Sequence, residues 1–115
     1  MAILSSHILN GVDGTHAGGI LATLTRLDDG TKLFTGETDE GGRLSGDLDL
    51  ADADPAAVYE LVFETAPYWK KRNFPCTESQ TIEEVVLRFK MPDNNAKYHR
   101  PVILSPNAYS VWISG

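Results

Sequence analysis

A chain of 115 residues and 12.6 kDa, 42% hydrophobic and 23% charged, has the size and composition of one globular domain with a core of its own, residues 1–115. A net charge of −6 argues against nucleic acid or an anionic membrane as partner, and no apolar run approaches a membrane span. The start MAILSSHILN lacks the basic region and long apolar run of a secretory signal, and the single cysteine, Cys76, gives no disulfide framework or zinc pattern, so a cytoplasmic location is expected.

The charge is unevenly spread. Residues 1–64 hold twelve acids against three bases, whereas residues 65–115 hold four acids against seven bases. A small anionic ligand would be drawn to the cationic half, although the run Lys70-Lys71-Arg72 also reads simply as a solvated helix face.

Along the chain the hydrophobic period is mostly two. Ser5, His7 and Leu9 share one face of an opening strand, and Leu4, Ser6 and Ile8 share the other. Ile20 to Leu27 alternates as a half-buried strand after Gly18-Gly19. A turn at Asp28-Asp29-Gly30 leads to a second strand from Lys32 to Thr38. Gly41-Gly42 turns the chain before a short strand from Arg43 to Leu48, and Asp49 to Ala56 reads as a loop. Val58 to Phe63 puts Tyr59, Leu61 and Phe63 on one face. Thr65 to Arg72 is the helix candidate, with Thr65 as N-cap, Pro67 in the first turn and basic residues at the C-terminal end. In Thr81 to Met91 the pair Glu83-Glu84 permits a helix, but Val85-Val86-Leu87-Arg88-Phe89 favours a strand. Tyr98 to Leu104 and Ala108 to Ile113 form a last pair around Ser105-Pro106-Asn107. Seven to eight short strands and one short helix predict an all-β sandwich.

The candidate chemistry is sparse. His7 and His99 lie in strand-like sequence, where a lone histidine is ordinarily a hydrogen-bonded structural residue. Arg43 follows a tight turn, and with the two histidines it suggests a small hydrolytic centre. His16, near Gly14 and Gly18, reads as an exposed loop residue. No two histidines have local metal-ligand spacing, Ser105 lacks a nucleophile-elbow context, and Cys76 reads as a small packing residue. The chain also ends in strand-like sequence, so its end is expected inside the structure.

In chain order, several pieces resemble one family. Ser6-His-Ile-Leu9 with Gly14 and Ala17, Thr38 with Gly42-Arg43, Tyr59-Glu-Leu-Val-Phe63 with Thr65 and Tyr68-Trp69, then Tyr98-His99 with Pro101, Leu104-Ser-Pro106 and Tyr109-Ser110 together resemble the 5-hydroxyisourate hydrolases, the transthyretin-related proteins of purine breakdown. The resemblance implies a transthyretin-like β-sandwich that hydrolyses a ring amide without metal or organic cofactor. It also implies a homotetramer built as a dimer of dimers, with His7, Arg43 and His99 as catalytic residues.

The departure is at the end of the chain. Family members end in Tyr-Arg-Gly-Ser lining the pocket, and Trp112-Ile-Ser-Gly115 stands here instead. Trp112, Ile113, Ser114 and Gly115, with Arg100 in place of an apolar residue, are therefore expected to contact the substrate and to alter its fit. That departure favours a second reading, a repurposed enzyme on the same scaffold acting on another lactam or heterocycle; a third is a non-catalytic small-molecule binding protein, as the resemblance to transthyretin itself implies.

Overall fold

Strict alternation makes the first strand the hinge of the architecture. In the computed structural model, which describes residues 1–72 and 80–113, β1 (Ala2–Asn10) buries Ala2, Leu4, Ser6, Ile8 and Asn10 and leaves Ile3, Ser5, His7 and Leu9 half-buried on the opposite face. Cys76, with its packing assignment, lies outside the described residues, as do Ser114 and Gly115.

The remaining described elements follow in chain order: β2 (Leu21–Arg26), β3 (Thr31–Glu37), β4 (Arg43–Leu48), β5 (Val58–Glu64), α1 (Ala66–Arg72), β6 (Glu84–Lys90), β7 (Lys97–His99), β8 (Val102–Ser105) and β9 (Ala108–Val111). One sheet has the antiparallel order β3-β2-β5-β6. In the other, β1 is central. It pairs with β4 antiparallel on one side, and on the other side with β7 and then β8, both parallel; β9 pairs with β8 at the edge. The arrangement is a β-sandwich of two sheets, and no helix among the described residues is long and apolar enough to cross a membrane.

The core lies between the sheets. Tyr59, Leu61 and Phe63 of β5, Leu24 of β2, Ile8 of β1 and Leu104 of β8 meet there, with Trp69 of α1 fully buried. Each such side chain contributes about 1.5–3 kcal/mol through burial. The segment Glu84–Lys90 is a strand, as its β-branched content indicates, and its pairing with β5 runs without a break from Val58↔Lys90 to Glu64↔Glu84.

Two local expectations are corrected. Tyr98 to Leu104 is two strands, because Arg100 and Pro101 interrupt it and the described strands number nine. Proline has no N–H for the ladder, and the break is bridged by the Arg100 amide donating to the Ser5 carbonyl at 2.9 Å and the buried Ser6 hydroxyl donating to the Arg100 carbonyl at 2.7 Å. Thr65 precedes α1, but its hydroxyl points to the Glu83 carbonyl at 3.5 Å and does not cap the helix.

Thr38 ties two loops together. Its buried hydroxyl donates to the Ala17 carbonyl at 2.8 Å and accepts from the Ile20 amide at 3.0 Å. Thr38→Val keeps the shape and leaves both backbone groups unpaired. It should lower stability by about 1–3 kcal/mol, read as a shift in the urea midpoint at unchanged slope.

Candidate active site

Register, not sequence proximity, assembles the site. His7 faces Arg43 across the β1–β4 ladder, Ser5 faces Ser45 across the same ladder, and Ser5 faces His99 on the other side. Since side chains two apart share a face, these residues lie together on the outer face of the five-stranded sheet. Ser5, Ser6, Asp39, Arg43, Leu44, Ser45 and His99 line a cleft of about 230 Å³ there.

Each polar group has a structural reason for its position. The Ser5 hydroxyl and His99 Nδ1 are 2.8 Å apart, which fixes that ring, and Nε2 has no hydrogen-bond partner among the described residues. Arg43 is held by the turn before it: the Asp39 carboxylate accepts from the amides of Gly41 and Arg43, both at 2.9 Å, and the Asp39 carbonyl accepts from Gly42 at 2.9 Å. Gly42 has φ +72°, in the left-handed region that suits glycine, and its carbonyl accepts the Ile8 amide at 2.8 Å. The turn is thereby stitched to the strand that carries His7.

The His7 imidazole is held below its ordinary value of 6.5, first by burial and then by the guanidinium of Arg43 and the neighbouring His16, with His99 adding to the effect; the Gly41 backbone opposes it. His7 therefore stays neutral to lower pH than a free histidine. Its Nε2 lies 3.0 Å from Nδ1 of His16.

The other expected contacts go elsewhere. The Arg100 side chain turns into the sandwich, where its guanidinium lies 5.1 Å from the Phe89 ring centroid and 5.7 Å from that of Tyr98 and donates to the His99 carbonyl at 3.0 Å. No carboxylate pairs with it among the described residues, and desolvation lowers its pKa. Arg100, Trp112 and Ile113 line a second cleft of about 400 Å³ between β6 and β9, which shares no lining residue with the first. Within one chain, the structure brings together His7, Arg43 and His99 and does not bring Arg100, Trp112 or Ile113 to them.

Three participants escaped the sequence. Ser5 as the partner of His99, Asp39 as the organiser of the Arg43 turn, and His16 as the partner of His7 all depend on register or loop closure. Asp39 did carry a signal, since an aspartate two residues before Gly-Gly is a common side-chain-to-backbone turn former.

Residues 4–113 match the HIUase/Transthyretin family. A 5-hydroxyisourate hydrolase 2 of Rhizobium meliloti (strain 1021) is 32% identical over 111 residues, covering 95% of this chain and 92% of that protein. A 5-hydroxyisourate hydrolase of Mesorhizobium japonicum is 35% identical over 112 residues, covering 95% and 89%. Among solved structures, the 5-hydroxyisourate hydrolase of Klebsiella pneumoniae superposes with a TM-score of 0.78 at 25% identity over the whole of both chains. Transthyretin from Sparus aurata also gives 0.78, at 29% identity over 96% of this chain and 95% of that one.

Proposed function

Since the chain belongs to the HIUase/Transthyretin family, we propose that it is a hydrolase that opens the ring amide of 5-hydroxyisourate, with His7, Arg43 and His99 as its catalytic residues. The observation that carries the proposal is the register that sets Arg43 and His99 around one cleft, with a neutral His7 beside Arg43. Relatives of nearly the same length are named 5-hydroxyisourate hydrolases, which supports the substrate.

The chemistry uses side chains alone. Water bonds to the ring carbonyl carbon as an imidazole accepts its proton; the lowered pKa of His7 keeps that ring unprotonated at neutral pH. The negative charge that develops on the carbonyl oxygen meets the Arg43 guanidinium, whose backbone is fixed by Asp39. The carbon–nitrogen bond then breaks, and the nitrogen takes a proton from the second imidazole. His99, tethered at Nδ1 by Ser5, offers Nε2 for that transfer. The test is the decay of freshly generated 5-hydroxyisourate, followed by ultraviolet absorbance with and without the protein. Acceleration in proportion to protein concentration is expected, and a decay rate equal to the spontaneous one sinks the reading.

The proposal extends to assembly and location. Strands β6 and β9 are each the last of their sheet, and they and the residues after β9 expose Val86, Tyr109, Trp112 and Ile113. Open edges with apolar side chains call for a covering partner, and a homotetramer built as a dimer of dimers supplies one. Contact of Trp112 and Ile113 with substrate then requires a neighbouring subunit, because in their own chain they face the other cleft. Sedimentation at micromolar concentration should give four times the 12.6 kDa of one chain; a 12.6 kDa species would contradict the assembly. A single cysteine suits a reducing compartment, and the proposed location is cytoplasmic.

A further inference from the structure

The loop between β1 and β2 folds back on the strand it has just left. The Asn10 amide donates to the Thr15 carbonyl at 2.8 Å, the Ala17 amide donates to the Ile8 carbonyl at 2.9 Å, and His16 forms an antiparallel bridge with Leu9. The return is possible because Gly14 takes φ +77° while Asp13 accepts both the amide and the hydroxyl of Thr15. Leu9 and His7 share the outer face of β1, so the bridge delivers the His16 ring onto that same face. The two rings stack, with centroids 5.1 Å apart and planes inclined by 25°, and His7 Nε2 meets His16 Nδ1 at 3.0 Å.

A nitrogen–nitrogen contact of that length holds one hydrogen. One ring donates an N–H and the other accepts with a lone pair. With Arg43 beside His7, a first added proton is favoured on the outer nitrogen of His16, Nε2, and leaves the bridge intact. A second puts two N–H groups face to face and breaks it. The charges around His7 act in the same direction: Arg43 comes from β4 and His99 from β7, while the Asp39 carboxylate of the adjoining turn is occupied by the Gly41 and Arg43 amides.

We propose that His16 is a positioning residue of this site, binding the His7 ring through a shared hydrogen so that the two imidazoles titrate as one unit holding a single positive charge. The inference rests on the hydrolase reading for its effect on rate, but the coupling itself does not. The unit fixes the plane of the His7 ring and keeps it from taking its own proton as pH falls. The acid limb of kcat/KM therefore lies lower than a solitary histidine beside Arg43 would place it.

Two variants test this. His16→Ala removes ring and bridge together; kcat should fall about tenfold as the His7 ring loses its orientation, and the acid limb should move to higher pH. His16→Asn keeps an amide near the Nδ1 position without a titrating group; kcat should recover while the limb stays at higher pH. Nitrogen-15 NMR of the imidazoles needs no turnover. In the unsubstituted protein, His7 and His16 should follow one common two-step titration, and in His16→Asn the His7 ring should give a simple single step. Coupled titration in a protein that fails to open 5-hydroxyisourate would uphold the pair and count against the hydrolase reading alone. Independent single-step curves for the two rings in the unsubstituted protein, or a His7 curve and acid limb unmoved by both substitutions, would overturn the proposal.

Discussion

Replacing His99 by alanine should lower kcat for 5-hydroxyisourate opening by about 10²–10⁴-fold, the usual range for loss of a positioned acid or base. His99 lies on the three-residue strand β7 and lines the cleft with Arg43. Its half-buried ring makes one side-chain hydrogen bond, to Ser5 at 2.8 Å, so its removal costs the fold little. Circular dichroism should therefore be unchanged while turnover collapses. Arg43→Ala should cost about 10²–10³-fold in kcat through loss of the oxyanion's partner. Ser5→Ala should cost less than either, because it frees the His99 ring without deleting it. Steady-state kinetics on the three variants checks the order. A His99→Ala enzyme with unchanged kcat would make that histidine structural.

Gly42→Ala should be the most damaging change of a single methyl group near the site, lowering stability by about 2–5 kcal/mol. Two costs combine. An L-residue at φ +72° is strained by about 1–2 kcal/mol, and the added Cβ runs into the Ile8 carbonyl oxygen with the Ala17 amide at 3.1 Å, an overpacking that costs about 1–3 kcal/mol. Relief requires the turn to move away from β1, which breaks the Ile8–Gly42 hydrogen bond and pulls Arg43 off register with His7. Denaturant unfolding should show the loss of stability, and kcat/KM should fall even where the variant remains folded. Gly14, also at positive φ, has open space around its Cβ position and serves as the control, since only the backbone strain applies there.

What the sequence disclosed follows from the range of the interactions involved. Period-two alternation marked β1 and β5 because those strands bury one face and leave the other half-buried, and a pattern of that kind is local. Pro101 has no N–H for a ladder, yet the break it imposes could be placed only once Ser5 and Ser6 were known to bridge it. His7, Arg43 and His99 were nameable from the resemblance, and the register gives the physical account of their juxtaposition. Arg100 beside His99 looked like a neighbour in the site, but adjacent residues in extended chain point to opposite faces, and its guanidinium lies among aromatic rings inside the sandwich. His16 read as a plain loop residue. It is indeed exposed, and its contact with His7 comes from loop closure, which no local pattern encodes.

The central position of β1 has a consequence for biosynthesis. Its two flanks are supplied by residues 43–48 and by residues 97–105, so Ser5 meets His99 across 94 positions of chain. On the ribosome β1 emerges before either flank, and half of its ladder stays open until residues 97–105 have been made. Contacts of such long range are slow to form. While it waits, β1 offers a nine-residue alternating strand with an unpaired edge, the kind of segment that pairs with a neighbouring nascent chain. Conditions that stall or truncate synthesis near residue 95 would therefore yield aggregates without partial activity, and chaperone capture of nascent chains should persist until the C-terminal strands leave the exit tunnel.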